Sequence, residues 1–379
     1  MFGLYVHIPF CNKICNYCDF YKMKVSDEFQ TRVIEKLLKE FDLNKKINDH
    51  IDTVYIGGGT PSCISYVNLE KILKRIKEFI IKNNKSYYLM EYTIELNPED
   101  INERLLDLLK KYEISRVSIG VQSFNPLIQR VIGRYTDYEQ FKKKIALLKT
   151  FNFTNYNLDF MYGIMPKENY DELALKQDLE KFINLNPTHI SCYSLILETK
   201  TILGEKARKG FFKKADDDFE ASCYYKIRDI LSKNNFIQYE TSNFSIDGYQ
   251  SIHNQIYWNN DHYLGIGPSS ASYIGNKRYQ VCSNINKYID SIDKNMILIT
   301  NVEDLTIKDM MEYEVILGLR KVSGINEQEF QKKFNQDLLT SFPKINEMLK
   351  KKYLLKKGLN IFLNPTYYYV QNYIISEII

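Results

Sequence analysis

The chain has 379 residues, 44% of them hydrophobic and 26% charged. That is enough apolar material for one large domain and a smaller one, and it argues against a disordered chain. A net charge of +4 is slight for this length and leaves no footprint for nucleic acid. No run of about 18 apolar residues occurs, so no spanning helix is expected, although peripheral contact with a membrane stays open.

Gly3–Ile8 reads as a strand and runs directly into Cys11-Asn12-Lys13-Ile14-Cys15-Asn16-Tyr17-Cys18. A strand starting at about residue 3 with this motif behind it fits no signal peptide. Three thiolates at CxxxCxxC spacing can bind three irons of a cubane iron–sulfur cluster and leave the fourth iron open to an external ligand. Zinc is the competing reading, but it usually wants four ligands, often from two CxxC units. Cys63, Cys192, Cys223 and Cys282 are scattered singly, and His7 precedes Cys11 on the predicted strand. A disulfide framework fails, because three clustered cysteines cannot pair off. Free thiols holding a reducible cluster require a reducing compartment, so the expected location is cytoplasmic.

Further strands are expected at Thr53–Ile56, Tyr92–Leu96, Arg116–Val121, Tyr156–Tyr162 and Thr188–Leu195. Helical patterns near Asp27–Asn44, Asn68–Lys82, Ile101–Lys111, Tyr138–Thr150 and Tyr170–Asn184 alternate with them. This alternation predicts an α/β fold with a parallel sheet and right-handed crossovers. Six units fall short of the eight of a closed barrel. The strands also carry an unusual polar face: Tyr5 and His7, Thr93 and Glu95, Ser118, Gly120 and Gln122, Asn157 and Asp159. Buried parallel strands normally read as continuous Val, Ile and Leu. A polar concave face needs partners, which predicts a ligand-filled cavity rather than a packed barrel core. Gly57-Gly58-Gly59-Thr60-Pro61 follows the second strand, where glycine lets backbone approach a ligand closely. Glu95 lies near the C-terminal end of its strand, the end at which barrel active sites form; an ion pair within the fold is the alternative.

A helix pattern from about Ala215 to Asn234 precedes His253-Asn254-Gln255-Ile256-Tyr257-Trp258, which holds the single tryptophan. A histidine beside two aromatics can ligate heme iron while the rings pack on the macrocycle; it can equally be a buried core histidine. Past about Thr300 the composition shifts. Helical patterns at Ile307–Lys321, Glu327–Phe334 and Pro343–Lys352 lead into a hairpin turned at Gly358. Lys351, Lys352, Lys356 and Lys357 make only a modest patch there, which favours a packing or lid role over DNA binding.

The cysteine spacing, with His7-Ile8-Pro9-Phe10 before it and Asp19-Phe20 after it, resembles the radical S-adenosylmethionine (SAM) superfamily. Within it, the chain resembles the branch holding oxygen-independent coproporphyrinogen III oxidases and their heme-chaperone relatives, over about residues 3–365. The resemblance implies an open, partial (β/α)6 barrel over 1–235, a connecting region over 236–300 and a small winged-helix-like α+β domain over 301–379. It implies a [4Fe–4S] cluster on Cys11, Cys15 and Cys18, whose open iron holds SAM and whose electron splits the sulfonium to a 5′-deoxyadenosyl radical. It places SAM against Gly58, Gly59, Thr60, Glu95, Gln122, Arg134 and Asp159, with Tyr5 and Tyr17 near the adenosine and the cluster. Arg134 suits a carboxylate, having a planar fork of donors. The oxidases carry a further cysteine where this chain has Phe20, and His253-Asn254-x-x-Tyr257-Trp258 matches an HNxxYW motif associated with heme. Both point to the chaperone side, and so to heme or porphyrin as ligand, a heme-acceptor protein and an electron donor as partners. Two departures stand out: Ala271 replaces a histidine common in relatives, and Pro166-Lys167-Glu168-Asn169 replaces Pro-x-Gln-Thr.

Overall fold

Polar and apolar residues alternate along the early strands, and in the computed structural model that alternation becomes an open curved sheet. The structure describes residues 1–44, 50–164 and 171–379, so the Pro166–Asn169 departure and the expected helix start at Tyr170 lie outside the described residues. The repeating units are β1 (Phe2–Ile8), α1 (Asp27–Leu43), β2 (Thr53–Gly58), α2 (Tyr66–Asn84), β3 (Glu91–Leu96), α3 (Glu103–Lys111) and β4 (Arg116–Gln122). They continue as α4 (Pro126–Ile132), α5 (Tyr138–Thr150), β5 (Tyr156–Tyr162), α6 (Glu172–Asn184) and β6 (His189–Ser194). β1 to β6 pair in parallel in chain order. Side-chain caps start the helices: Ser26, Ser65, Asn102, Asp137 and Asp171 each accept a backbone N–H of the first turn of α1, α2, α3, α5 and α6.

Leu4, Val6, Ile8, Ile56, Ile94, Val117, Ile119 and Leu158 are fully buried on the convex face beneath the helices. Each such side chain contributes about 1.5–3 kcal/mol of burial. The opposite parity faces the lumen and bonds across strands. Asn157 Nδ2 donates to Ser118 Oγ (2.8 Å) and Asp159 Oδ1 (2.7 Å), and Ser191 donates to Asn157 Oδ1 (3.1 Å). The polar face of the strands is thus partly satisfied by its own neighbours.

The stretch expected as a connector instead extends the sheet on both sides. After α7 (Ile202–Arg208) and α8 (Asp217–Lys233), β7 (Ile237–Gln238) and β8 (Asn243–Ser245) add antiparallel to the β6 edge. α9 (Ile252–Trp258) follows, and β9 (His262–Ile266) then joins β1 in parallel at the opposite edge. β10 (Ala271–Ile274), β11 (Lys277–Val281), α10 (Ile285–Asp293) and β12 (Ile299–Asp304) complete that edge, giving a twelve-stranded sheet that does not close.

The last module holds α11 (Ile307–Gly318), β13 (Ile325–Asn326), α12 (Glu327–Phe334), α13 (Leu338–Ser341), α14 (Lys344–Lys350), β14 (Leu354–Lys357), β15 (Asn360–Leu363) and α15 (Gln371–Ile378). Its small sheet runs β13-β15-β14, with short helices ahead of the hairpin as the sequence predicts. Lys333 Nζ, donating to Asn259 O and Asn260 O, and an isolated Glu240–Lys321 bridge tie it to the barrel. Among the described residues no helix is long and apolar enough to cross a membrane.

Candidate functional site

The cysteine loop leaves the C-terminal end of β1 and is fastened by backbone before any ligand is considered. Cys11 N donates to Met23 O (3.0 Å) and Met23 N to Pro9 O (2.8 Å), closing the loop at its base. Inside it, Asn16 N donates to Ile132 O (2.9 Å), Asn16 Nδ2 to Val131 O (2.8 Å), and Leu203 N to Asn16 O (2.8 Å). The loop therefore hangs on the end of α4 and the start of α7. Gly133 caps α4 with φ of 70°, and a Cβ there would meet Asn16 Nδ2 at 2.9 Å. Only glycine gives both the turn and the room.

Cys11, Cys15 and Cys18 line one cavity of about 110 Å³ together with Tyr17, Gly58, Gly59, Thr60, Glu95, Gln122, Arg134 and Asp159. Residues spread over 149 positions of chain thus face one space at the C-terminal ends of the strands. Cys11 Sγ lies 3.5 Å from Thr60 Oγ1, and Arg134 Nη1 lies 3.7 Å from Cys15 Sγ while Nη2 donates to Asn97 Oδ1 (2.6 Å). Burial pushes the Cys11 and Cys18 thiols upward. Among the described residues no three His, Cys, Asp or Glu groups converge as a single ion requires.

The glycine run has a structural reason beside the ligand one. A Cβ on Gly59 would meet Phe10 O at 2.4 Å, and one on Gly58, whose φ is 112°, would meet the His7 ring at 2.6 Å. Gly59 N donates to Ile8 O (2.8 Å), Thr60 N to Phe10 O (2.7 Å). The turn is pressed onto the strand that carries the cysteines.

Two carboxylates occupy the lumen wall. Glu95 accepts from Tyr55 Oη (2.8 Å) and Gly58 N (3.1 Å); burial still pushes it up to about 7. Burial likewise raises Asp159 to about 6 despite the bond from Asn157. Arg134 Nε is buried without an acceptor. Gln122 sits at φ of 74° where the β4–β5 register shifts, a left-handed conformation imposed on a non-glycine residue beside the cavity. Tyr5 lies outside the cavity lining, its hydroxyl 3.0 Å from His7 Nδ1, and His7 Nε2 is held by Tyr21 O (2.9 Å), so His7 offers no free nitrogen to a metal. Asn16 and Asn97 were not singled out from sequence. Asn97 stands next to the chosen Glu95 motif, but nothing local marks either as a positioning residue.

His253 is placed elsewhere. It lies on α9, under the N-terminal ends of β1 to β3, at the opposite end of the strands from the cysteines. Its Nδ1 is 2.7 Å from Thr53 Oγ1 and its Nε2 2.9 Å from Tyr257 Oη, it is fully buried, and desolvation lowers it to about 3. Buried Glu91 accepts from Ser251 Oγ, Ile252 N and His253 N and pins the start of that helix. Both ring nitrogens of His253, the residue expected near heme, are engaged by Thr53 and Tyr257. His253→Ala should cost about 2–4 kcal/mol in denaturant unfolding, because Thr53 and Tyr257 lose buried partners and a cavity opens. Unchanged stability would contradict this placement. Ala271, the other departure, is exposed at the start of β10.

A three-cysteine loop at a strand end, a glycine turn pressed on it and a polar lumen of six parallel strands define a radical SAM protein. Residues 5–179 match the Radical SAM superfamily and residues 305–366 the HemN C-terminal domain. The fold is similar to that of coproporphyrinogen III oxidase (HemN) from Escherichia coli, with a TM-score of 0.82 at 20% identity, covering 99% of this chain and 89% of that one. In sequence the chain is 36% identical over 330 residues to the heme chaperone HemW of Lactococcus lactis subsp. lactis, covering 87% of this chain and 84% of the relative. It is 31% identical over 357 residues to the heme chaperone HemW of Bacillus subtilis, covering 94% and 93%. The chain belongs to the HemW family. Membership in the radical SAM superfamily implies the [4Fe–4S] cluster and SAM.

Proposed function

We propose that this protein is a cytoplasmic heme chaperone that carries a [4Fe–4S] cluster on Cys11, Cys15 and Cys18, binds SAM and heme, and delivers heme to an acceptor protein. The observation that carries the reading is the likeness to heme chaperones along nearly the whole chain. Phe20 supports it: the side chain is exposed and lines the cavity mouth, at the position where the oxidase pattern has a further cysteine.

The lumen suits SAM by its donor set. Arg134 has a buried Nε without an acceptor, which fits a carboxylate. Glu95 and Asp159, raised by burial, fit the ammonium and sulfonium of a cationic ligand. Thr60, Gln122, Tyr17, Gly58 and Gly59 border the same space, and Tyr5 lies outside its lining, bonded to His7. When bound, the cluster supplies an electron and an open coordination position. The chain's residues orient SAM, exclude water and set the local charge. An external electron donor would reduce the cluster.

One experiment separates this reading from its enzymatic rival. Anaerobically reconstituted protein, given SAM and a reductant, should bind heme and leave coproporphyrinogen III unconverted. Protoporphyrinogen formation without heme binding would establish the oxidase reading instead.

A further inference from the structure

Strand register sets the layers of the lumen. Tyr5 pairs with Tyr55, Tyr55 with Thr93 and Thr93 with Arg116, so one row of side chains crosses β1 to β4. Glu95 and Ser118 pair in the row above, two residues nearer the cysteine loop. Arg116 opens β4 on the parity of Ser118, Gly120 and Gln122, and it is among the largest fully buried side chains. Its Nε has no partner, and among the described residues no carboxylate comes within ion-pair distance of the guanidinium. Thr93 Oγ1, directly across from it, is equally buried and unbonded. A guanidinium taken out of water without hydrogen bonds is costly, so its place here points to a need for the charge itself.

The neighbours show what that charge acts on. Below it, Glu91 is already taken, accepting from Ser251 Oγ, Ile252 N and His253 N. Beside it, His189 is bonded to Asn157 and Tyr239, and His253 to Thr53 and Tyr257. Burial first, and Arg116 second, hold both rings well below the ordinary histidine value, so they stay neutral. Burial also keeps the Tyr5, Tyr55 and Tyr239 hydroxyls protonated. Above it stand Glu95 on the adjacent strand and Asp159 on the next. Burial raises both carboxyls, and the Arg116 charge opposes that rise in each through space. Arg134 acts on Asp159 as well, but it is bonded to Asn97 and stands at Cys15, on the far side of the cavity from the floor.

We propose that Arg116 is a positioning residue of the SAM site: an unbonded counter-charge under the lumen that keeps Glu95 and Asp159 ionised for a cationic ligand above them. The proposal rests on the placement of SAM against these two carboxylates and deepens it. The test is equilibrium binding of SAM to anaerobically reconstituted protein from pH 5.5 to 8, on wild type, Arg116→Gln and Arg116→Met. Both variants should fold and load iron like the wild type, because no bond of the guanidinium is lost and a buried charge is removed. Wild-type binding should tighten as pH rises. In the variants the midpoint should move up by about one pH unit, since an opposing charge has been taken away. SAM should then bind about tenfold more weakly near pH 5.5, yet within about twofold of wild type at pH 8, where the carboxylates ionise unaided. A purely structural role would instead weaken binding by one factor at every pH. That result, a profile superimposable on wild type, or failure of both variants to fold overturns the assignment and leaves the SAM site standing. A flat wild-type profile overturns the placement of SAM against Glu95 and Asp159, and this inference with it.

Discussion

Cys15→Ala protein reconstituted anaerobically should hold no stable cluster, against about four irons and four sulfides in the wild type. The perturbation that SAM makes in the reduced cluster's spectrum should vanish with it. The loop is held by Asn16 on Ile132 and Val131 and by Cys11 on Met23, and none of these bonds uses the Cys15 thiol. Its fold should therefore survive the substitution, and thermal melting of the cluster-free forms should differ little. That separation makes the result a statement about ligation. Cys223→Ala, altering a buried thiol on α8, should leave iron content unchanged. Full iron in the Cys15→Ala protein would dismantle the cluster assignment.

Glu95→Gln and Asp159→Asn should each weaken SAM binding by roughly 10–200-fold, the equivalent of about 1.5–3 kcal/mol for a hydrogen bond to a charged group. Both substitutions keep shape and remove charge, so stability should suffer less than affinity. The pH dependence has a definite sign. Folded Glu95 keeps its proton up to about 7 and Asp159 up to about 6, above the usual carboxylate range. Between the ordinary and the raised values the folded state binds more protons than the unfolded one, so ligand-free stability falls as pH rises through that window. Buried Glu40 and Glu240, both raised to about 7, and Asp178, raised to about 6, push the same way. SAM binding should run opposite, tightening over the same rise as the lumen carboxylates ionise toward a cationic ligand. Equilibrium binding from about pH 5 to 8 checks this, and Glu95→Gln should flatten the profile. Variants that bind SAM normally but melt much earlier would make these carboxylates structural.

Some of this protein is written in runs of neighbours. Alternation in Leu4–Ile8 or Tyr156–Phe160 already places one parity in the core and the other in a lumen, because side chains of a strand point to opposite faces. The same holds for three thiols within eight residues, which a single loop can carry to one cavity. β5, α5 and α12 accordingly run as read, Tyr156–Tyr162, Tyr138–Thr150 and Glu327–Phe334. Short helices were another matter: α4, α7 and α9 carry too few turns for periodicity to show. The addition of β9 to β1 was hidden as well, since a strand's partner is chosen by the whole sheet and not by its five residues.

Tertiary structure alone decided the roles of single polar residues. Arg134 reaches Cys15 across 119 positions because Gly133 turns the chain back toward the loop. His253 meets Thr53 across 200 positions, a contact that nothing in its own hexapeptide specifies. A histidine's chemistry depends on which of its nitrogens remain unbonded, and its bonding partners come from strands that its own neighbours in sequence do not specify.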